Sequence, residues 1–221
     1  MILPGRTKDQ AHARILVDHG YGVLLFDRRG EGASEGDPHL FAWSGARDVH
    51  AAVEFLEDRP EVDPARIGGL GLSMSGEMLL QAAAESPKLA AVVSEGAGTR
   101  TLSERLVDFS DAMVVRAFHV LLVNQASLTL FSNVDAPPNL VELVPEIAPR
   151  PVLLIWAPNS PSSEGMNPTY QREIGASADI WEVPDAPHVE ALQTHPEEYE
   201  RRVVDFFDRA LLGLAPGPTE D

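Results

Sequence analysis

The sequence predicts an α/β domain: a mostly parallel sheet flanked by helices, with a helical cap inserted between two of its strands. Three observations carry that expectation. Short apolar runs of β type alternate with amphipathic helical patterns, the arrangement that covers a parallel sheet on both faces. Several of those runs are apolar without polar alternation, as strands buried on both sides should be. One run passes through a glycine-rich turn straight into a helix, as the strand-to-helix joints of such a sheet do.

The elements follow in order. A helix is expected over residues 8–19, with Ala11, Ile15 and Leu16 facing inward and Gly20 as the left-handed stop. The run 22–27 (GVLLFD) is the first clear strand. Ser44 is placed to cap a helix whose inner stripe is Val49, Ala52, Val53 and Leu56 and which ends before Pro60. A strand over 66–72 (RIGGLGL) leads into a helix carrying Met78, Leu79, Ala82 and Ala83, and a further strand covers 89–94 (LAAVVS). Residues 97–149 break the alternation. They hold two helical patterns, near 102–122 and 139–144, with a joint at Pro137 and Pro138. A parallel crossover needs only about a dozen residues, so this stretch reads as a cap over the site rather than as ordinary crossover helices. Strands follow at 151–158 (PVLLIWAP) and 178–184 (ADIWEVP). The last helix opens at Thr194 or His195 with Pro196 in its first turn. It buries Tyr199, Val203, Phe206, Ala210, Leu211 and Leu214, and its early Glu197 and Glu198 suit the positive end of the helix dipole.

Composition narrows the function. The 221 residues suit one domain, 1–221, with the cap at 97–149 inside it. Seventeen Lys and Arg against 34 Asp and Glu leave a net charge of −17, which repels phosphate backbones and anionic membranes, so neither nucleic acid nor membrane is expected as a partner. No stretch approaches the ~18 apolar residues of a membrane span, and the first residues lack the basic start and apolar run of a signal peptide, so a soluble, cytoplasmic protein is expected. With no cysteine, thiol nucleophiles and thiolate metal sites are excluded.

The segment 67–76 (IGGLGLSMSG) carries the chemistry. A serine at a sharp strand-to-helix turn has its hydroxyl pushed out above the sheet, small neighbours relieve the crowded backbone, and the helix N-terminus aims N–H groups at the same point. Gly71, Leu72, Ser73 and Met74 fit the G-x-S-x-G elbow, whereas the fifth position is Ser75, with glycine following at Gly76. A strained turn is expected there. Gly69 and Gly71 would also open a dinucleotide-binding G-x-G-x-x-G, but Met74 occupies its last position. The remaining reading is a plain structural joint. No phosphate loop of the G-x-x-x-x-G-K-[ST] type and no H-E-x-x-H metal pair occurs.

A serine nucleophile needs a base, and the base needs an orienting acid. His188, just after the strand at 178–184 and before the last helix, alone among the seven histidines has the expected place. His195 lies at a helix start, His50 on a helix face, and His12 and His19 on the first helix, where capping or solvation accounts for them. His119 lies in the insertion, where packing accounts for it. Glu164 is the only carboxylate of the loop NSPSSEGMN and stands between Ser73 and His188 in chain order. Glu95, directly after its strand, is the alternative acid. Asp185 reads as a turn former.

With these residues assembled, the chain resembles the α/β-hydrolase superfamily, and within it the dienelactone-hydrolase-like and acyl-transferring serine hydrolases related to X-Pro dipeptidyl peptidases. The resemblance rests on residues 19–37, 48–77 (DVHAAVEFLEDRPEVDPARIGGLGLSMSGE) and 147–155 (IAPRPVLLI), and on SEGMNPTY through WEVPDAPH to PEEYERRVVDFFDRALLG. It implies an α/β-hydrolase fold, Ser73 as nucleophile, His188 as general base, Glu164 as acid and the Met74 N–H as one oxyanion donor. Residues 27–36 match the family's D-x-R-G-x-G-x-S-x-G turn, which shapes the mouth of the site. The family pattern further implies that residues 22–27 correspond to the fourth strand, that MILPGR is the end of the strand before it, and that the fold is short at its N-terminal side. The family's His-Gly loop, which would supply the second oxyanion donor, has no counterpart before the first helix, where Pro4-Gly5 stands instead. The expected function is a cofactor-free serine hydrolase acting on a small-molecule ester, thioester or amide through an acyl-enzyme. The acidic surface disfavours polyanionic substrates, and the apolar insertion (Phe109, Met113, Val114, Phe118 and their neighbours) favours an apolar acyl or alcohol part. The alternative is a catalytically impaired relative that binds a ligand or partner; an exposed sheet edge would leave room for a homo-oligomer.

Overall fold

The computed structural model describes residues 1–4, 10–36, 43–101, 103–104, 122–123, 126–127, 136–160 and 164–215. They form strands β1 (Ile2–Pro4), β2 (Leu24–Phe26), β3 (Gly68–Leu72), β4 (Ala91–Glu95), β5 (Val152–Trp156) and β6 (Ala178–Glu182). Between and after them lie helices α1 (Gln10–Asp18), α2 (Gly45–Glu57), α3 (Met74–Glu85), α4 (Leu140–Leu143), α5 (Asn167–Ile174), α6 (Ala191–Thr194) and α7 (Pro196–Phe207). The strands make one parallel sheet in the order β2-β1-β3-β4-β5-β6. The N-terminal residues are therefore an interior strand, with Ile2 in register with Leu24 on one side and Gly69 on the other.

Alternate residues of each strand feed two separate cores, which explains the absence of polar alternation. Ile2, Val92, Val152 and Leu154 pack with α2, α3 and α5 on one face. Leu3, Ala91, Val93, Leu153 and Ile155 pack with α1 and α7 on the other. Tyr170 from α5 and Tyr199 and Phe207 from α7 are fully buried anchors of the two layers. On the second face the Tyr21 hydroxyl donates to Asp208 Oδ1 at 2.5 Å, joining the α1–β2 turn to the end of α7.

Several expectations are corrected. The buried side of α1 is His12, Ala13 and Leu16, while Ala11 is exposed. Ser44 precedes α2 but makes no side-chain capping bond, and the same is true of His195 before α7. Leu214, expected inside, is 52% exposed because the chain leaves the helix at Gly213, which takes the left-handed conformation. The cap at 97–149 lies largely outside the described residues. Of its apolar residues named above, Phe109, Met113, Val114 and Phe118 are all among those left out. Among the described residues no helix is long and apolar enough to cross a membrane.

Candidate active site

The site is built where β3 ends. Ser73 follows Leu72 with φ 53° and ψ −124°, a conformation a non-glycine residue rarely adopts, and α3 begins at the next residue. The ladder nevertheless continues one step past the strand, because Ser73 N–H donates to the Glu95 carbonyl at 2.7 Å. The turn closes tightly. A Cβ on Gly71 would lie 2.6 Å from the Ser75 carbonyl carbon, and one on Gly76 would lie 2.4 Å from Ser94 Oγ and 3.1 Å from the Gly71 carbonyl oxygen. The small residue demanded by the crowding is thus Gly76, one position later than the motif suggests.

The strain expected of this turn falls on Ser73, not on Ser75. Ser75 lies in the first turn of α3, it is not among the residues with positive φ, and its hydroxyl donates to the Pro4 carbonyl at 2.6 Å. The serine in place of glycine ties the end of β1 to the elbow. Both groups are buried. Ser75→Ala is expected to lower the unfolding free energy by about 1–3 kcal/mol through the orphaned carbonyl, read from the denaturant midpoint at unchanged slope.

His188 sits in the loop between β6 and α6, and Glu164 in the loop after β5. His188 Nε2 is 2.9 Å from Ser73 Oγ, and Nδ1 is 2.5 Å from Glu164 Oε1. The other oxygen of Glu164 accepts the Ala157 N–H at 2.9 Å, and the residue is only 2% exposed. A carboxylate can only accept, so Nδ1 carries the proton and Nε2 is left to accept from the serine. The structure brings Ser73, His188 and Glu164 into one hydrogen-bonded chain. It does not bring Glu95 to the imidazole nitrogens. The Glu95 side chain instead accepts the Ala191 N–H at 3.0 Å, and burial pushes its pKa up to about 7. The alternative acid is displaced because Glu164 already takes Nδ1.

A cavity of about 550 Å³ opens on Ser73, bordered by Pro4, Asp27, Arg28, Met74 and His188. Met74 is the first residue of α3, where helix geometry leaves the N–H without an intrahelical acceptor. The turn 27–36 forms the mouth. Ser34 Oγ donates to the Asp27 carbonyl at 2.7 Å, and Gly32, with φ 55°, leaves no room for a side chain, since a Cβ would sit 2.3 Å from Asp27 Oδ2. Arg28 is held by Glu31, with Nε 2.9 Å from Oε2, so its charge is balanced inside the mouth. Among the described residues no group of three or more His, Asp or Glu side chains could hold a metal ion.

The sequence reading missed His12. It is 2% exposed, borders the cavity, stands edge-on to Tyr199 at 5.3 Å and places Nε2 3.9 Å from Glu95 Oε2. Burial lowers its pKa to about 4, so it is neutral. Its signal was the position beside Ala13 and four residues before Leu16, on the true inner face of α1. The other histidines behave as surface groups: His19 Nδ1 donates to the Ile15 carbonyl near the helix end, His50 meets Glu85, and His195 meets Asp185. His119 lies outside the described residues.

Comparison with known proteins agrees with this architecture. A protein of Pseudomonas aeruginosa, PA2218, is 27% identical, with the match covering 94% of this chain and 71% of that one. The polyketide transferase grgF of Penicillium is 36% identical over 84 residues, which is 37% of this chain and 29% of grgF. Its solved structure, an alpha/beta hydrolase, superposes with a TM-score of 0.73 at 21% identity, covering 96% of this chain and 89% of that chain. The Pyrococcus furiosus esterase Pf2001 superposes with a TM-score of 0.73 at 23% identity, covering 95% and 82%. The model of the X-Pro dipeptidyl-peptidase (S15) family matches residues 3–134, which is more than half of the chain and includes the elbow and the turn at the mouth. The chain therefore belongs to the X-Pro dipeptidyl-peptidase (S15) family, on an α/β-hydrolase fold.

Proposed function

We propose that the protein is a serine hydrolase that cleaves a small acyl compound, an ester, thioester or amide, through an acyl-enzyme on Ser73. The observation that carries this reading is the unbroken relay from Ser73 Oγ through His188 to the buried Glu164. Ser73 Oγ attacks the carbonyl carbon while His188 Nε2 takes its proton. Glu164 holds the ring in the tautomer that leaves Nε2 free and stabilises the imidazolium once formed. The oxygen of the tetrahedral intermediate lies toward the start of α3, where the Met74 N–H donates to it. Collapse breaks the bond to the leaving group, which departs with the proton from His188. Water then repeats the sequence on the acyl-enzyme and releases the acid.

Relatives bear the names esterase, thiohydrolase and polyketide transferase, and these names support an acyl compound as the substrate. The charge of −17 disfavours polyanionic substrates by repulsion. A fluorophosphonate probe tests the proposal, because it reacts with a serine only when that serine is activated. Mass spectrometry should place the adduct on Ser73, and p-nitrophenyl acetate should be turned over. Absence of both would leave the fold as a ligand-binding module.

A further inference from the structure

Glu95 stands at the C-terminal end of β4, and the reaction proposed above uses none of its side chain. Its backbone carbonyl accepts the Ser73 N–H at 2.7 Å, and its Oε1 accepts the N–H of Ala191 at 3.0 Å. One residue thus touches the peptide of the nucleophile and the first residue of α6, the helix that closes the His188 loop. The following residue presses on the same loop. Gly96 has φ 67°, and a Cβ there would lie 3.0 Å from His188 Cε1 and 2.8 Å from Val189 Cγ1. Val189 itself holds φ 55°, a conformation that a β-branched residue keeps only when its surroundings impose it. The Ala191 bond lies two residues beyond that strained position.

We propose that Glu95 is a positioning residue for His188: its buried carboxyl anchors the strained segment 188–191 through Ala191 N–H and stands behind the imidazole as a second carboxyl. This rests on reading His188 as the general base. The groups that face the carboxyl come from every side. His12 on α1 places Nε2 3.9 Å from Oε2, Tyr199 approaches from α7, and Glu164 and His188 lie toward the site. Burial raises the Glu95 pKa to about 7, opposed by the Ala191 N–H and the Tyr199 hydroxyl, with Glu164 adding to the rise and His188 acting against it. His12 supplies no compensating cation, because its own burial keeps it neutral above about pH 4. Glu95 therefore holds its proton in mildly acidic solution and releases it around neutrality. Once ionised, it is a second negative charge beside Glu164.

Two variants separate anchoring from charge. Glu95→Gln retains an oxygen for Ala191 N–H and cannot titrate; Glu95→Ala loses both. The ring resonances of His188 are followed by NMR from pH 5 to 9, and the rate of fluorophosphonate labelling is followed over the same range. In the wild type the His188 ring resonances should report the Glu95 ionisation as an inflection near pH 7 that Glu95→Gln lacks. At pH 6 Glu95→Ala should label about tenfold or more slowly than Glu95→Gln, as misplacement of the base requires. Superimposable His188 titrations for wild type and Glu95→Gln would overturn the proposal, as would equal labelling rates for the two variants. Should Glu95→Ala fail to fold, the Glu95→Gln titration decides. A wild-type protein that never labels would remove the serine-hydrolase reading, and the NMR comparison would still decide whether Glu95 governs His188.

Discussion

Ser73→Ala should reduce turnover of p-nitrophenyl acetate by about 10⁴-fold or more and eliminate fluorophosphonate labelling, with the far-UV spectrum unchanged. In the proposed reaction the serine hydroxyl is the group of the elbow that attacks, and its removal leaves the backbone donors at the start of α3 intact. His188→Ala should cost a similar factor, and the double variant should lose little beyond either single one, because a nucleophile without its base and a base without its nucleophile are equally idle. Ser73 Oγ and His188 Nε2 are 2.9 Å apart, which is the ground for expecting non-additive losses. Additive losses from the two substitutions would show that they act separately and would remove the relay from the mechanism.

The second large effect is expected from Glu164→Gln, about 10³- to 10⁴-fold in kcat with little change in folding stability. The reason is directional. Oε2 of Glu164 accepts the Ala157 N–H at 2.9 Å while Oε1 faces His188 Nδ1. In the glutamine variant the Ala157 N–H selects the amide oxygen for its own side, so the NH₂ group turns toward Nδ1. Nδ1 must then accept, the ring proton moves to Nε2, and the imidazole can no longer take the proton of Ser73. Steady-state kinetics near neutral pH read the loss, and unfolding midpoints confirm that the fold persists. A loss below about tenfold would show that Glu164 is not the orienting acid.

The relay was readable in the sequence for reasons that differ residue by residue. Ser73 announced itself through local crowding: Gly71 and Gly76 cannot carry a side chain without striking Ser75, Ser94 or each other. His188 and Glu164 were readable by their order along the chain, since each falls in the loop after a later strand of the parallel sheet. The acid stayed open between Glu164 and Glu95 because both follow strands, and the bond that separates them, Ala191 to Glu95, spans 96 residues. Ser75 was misread for the same reason. Its partner is the carbonyl of Pro4, 71 residues away, and no local rule reveals a hydroxyl that serves a distant strand end. Length limited the rest. A three-residue strand such as β1 shows no periodicity of its own and could be read only through the family resemblance. On α1 Leu16 and Ile15 do face the core, but Ala11 does not, and the places that His12 and Ala13 take on the inner face went unread.

The position of β1 between β2 and β3 has a kinetic consequence. The earliest residues of the chain belong to the interior of the sheet, and the bonds that bind the site together join partners 71 and 115 residues apart, while the Tyr21–Asp208 bond spans 187. Contacts of such separation form late, because each must first meet the entropy of closing a long loop. On a ribosome the elbow emerges well before His188, so the hydrogen bond between Ser73 and His188 forms only once the later segment docks. If Ser73 is the nucleophile proposed above, its labelling by a fluorophosphonate should return only late in refolding, with the long-range contacts rather than with any single element.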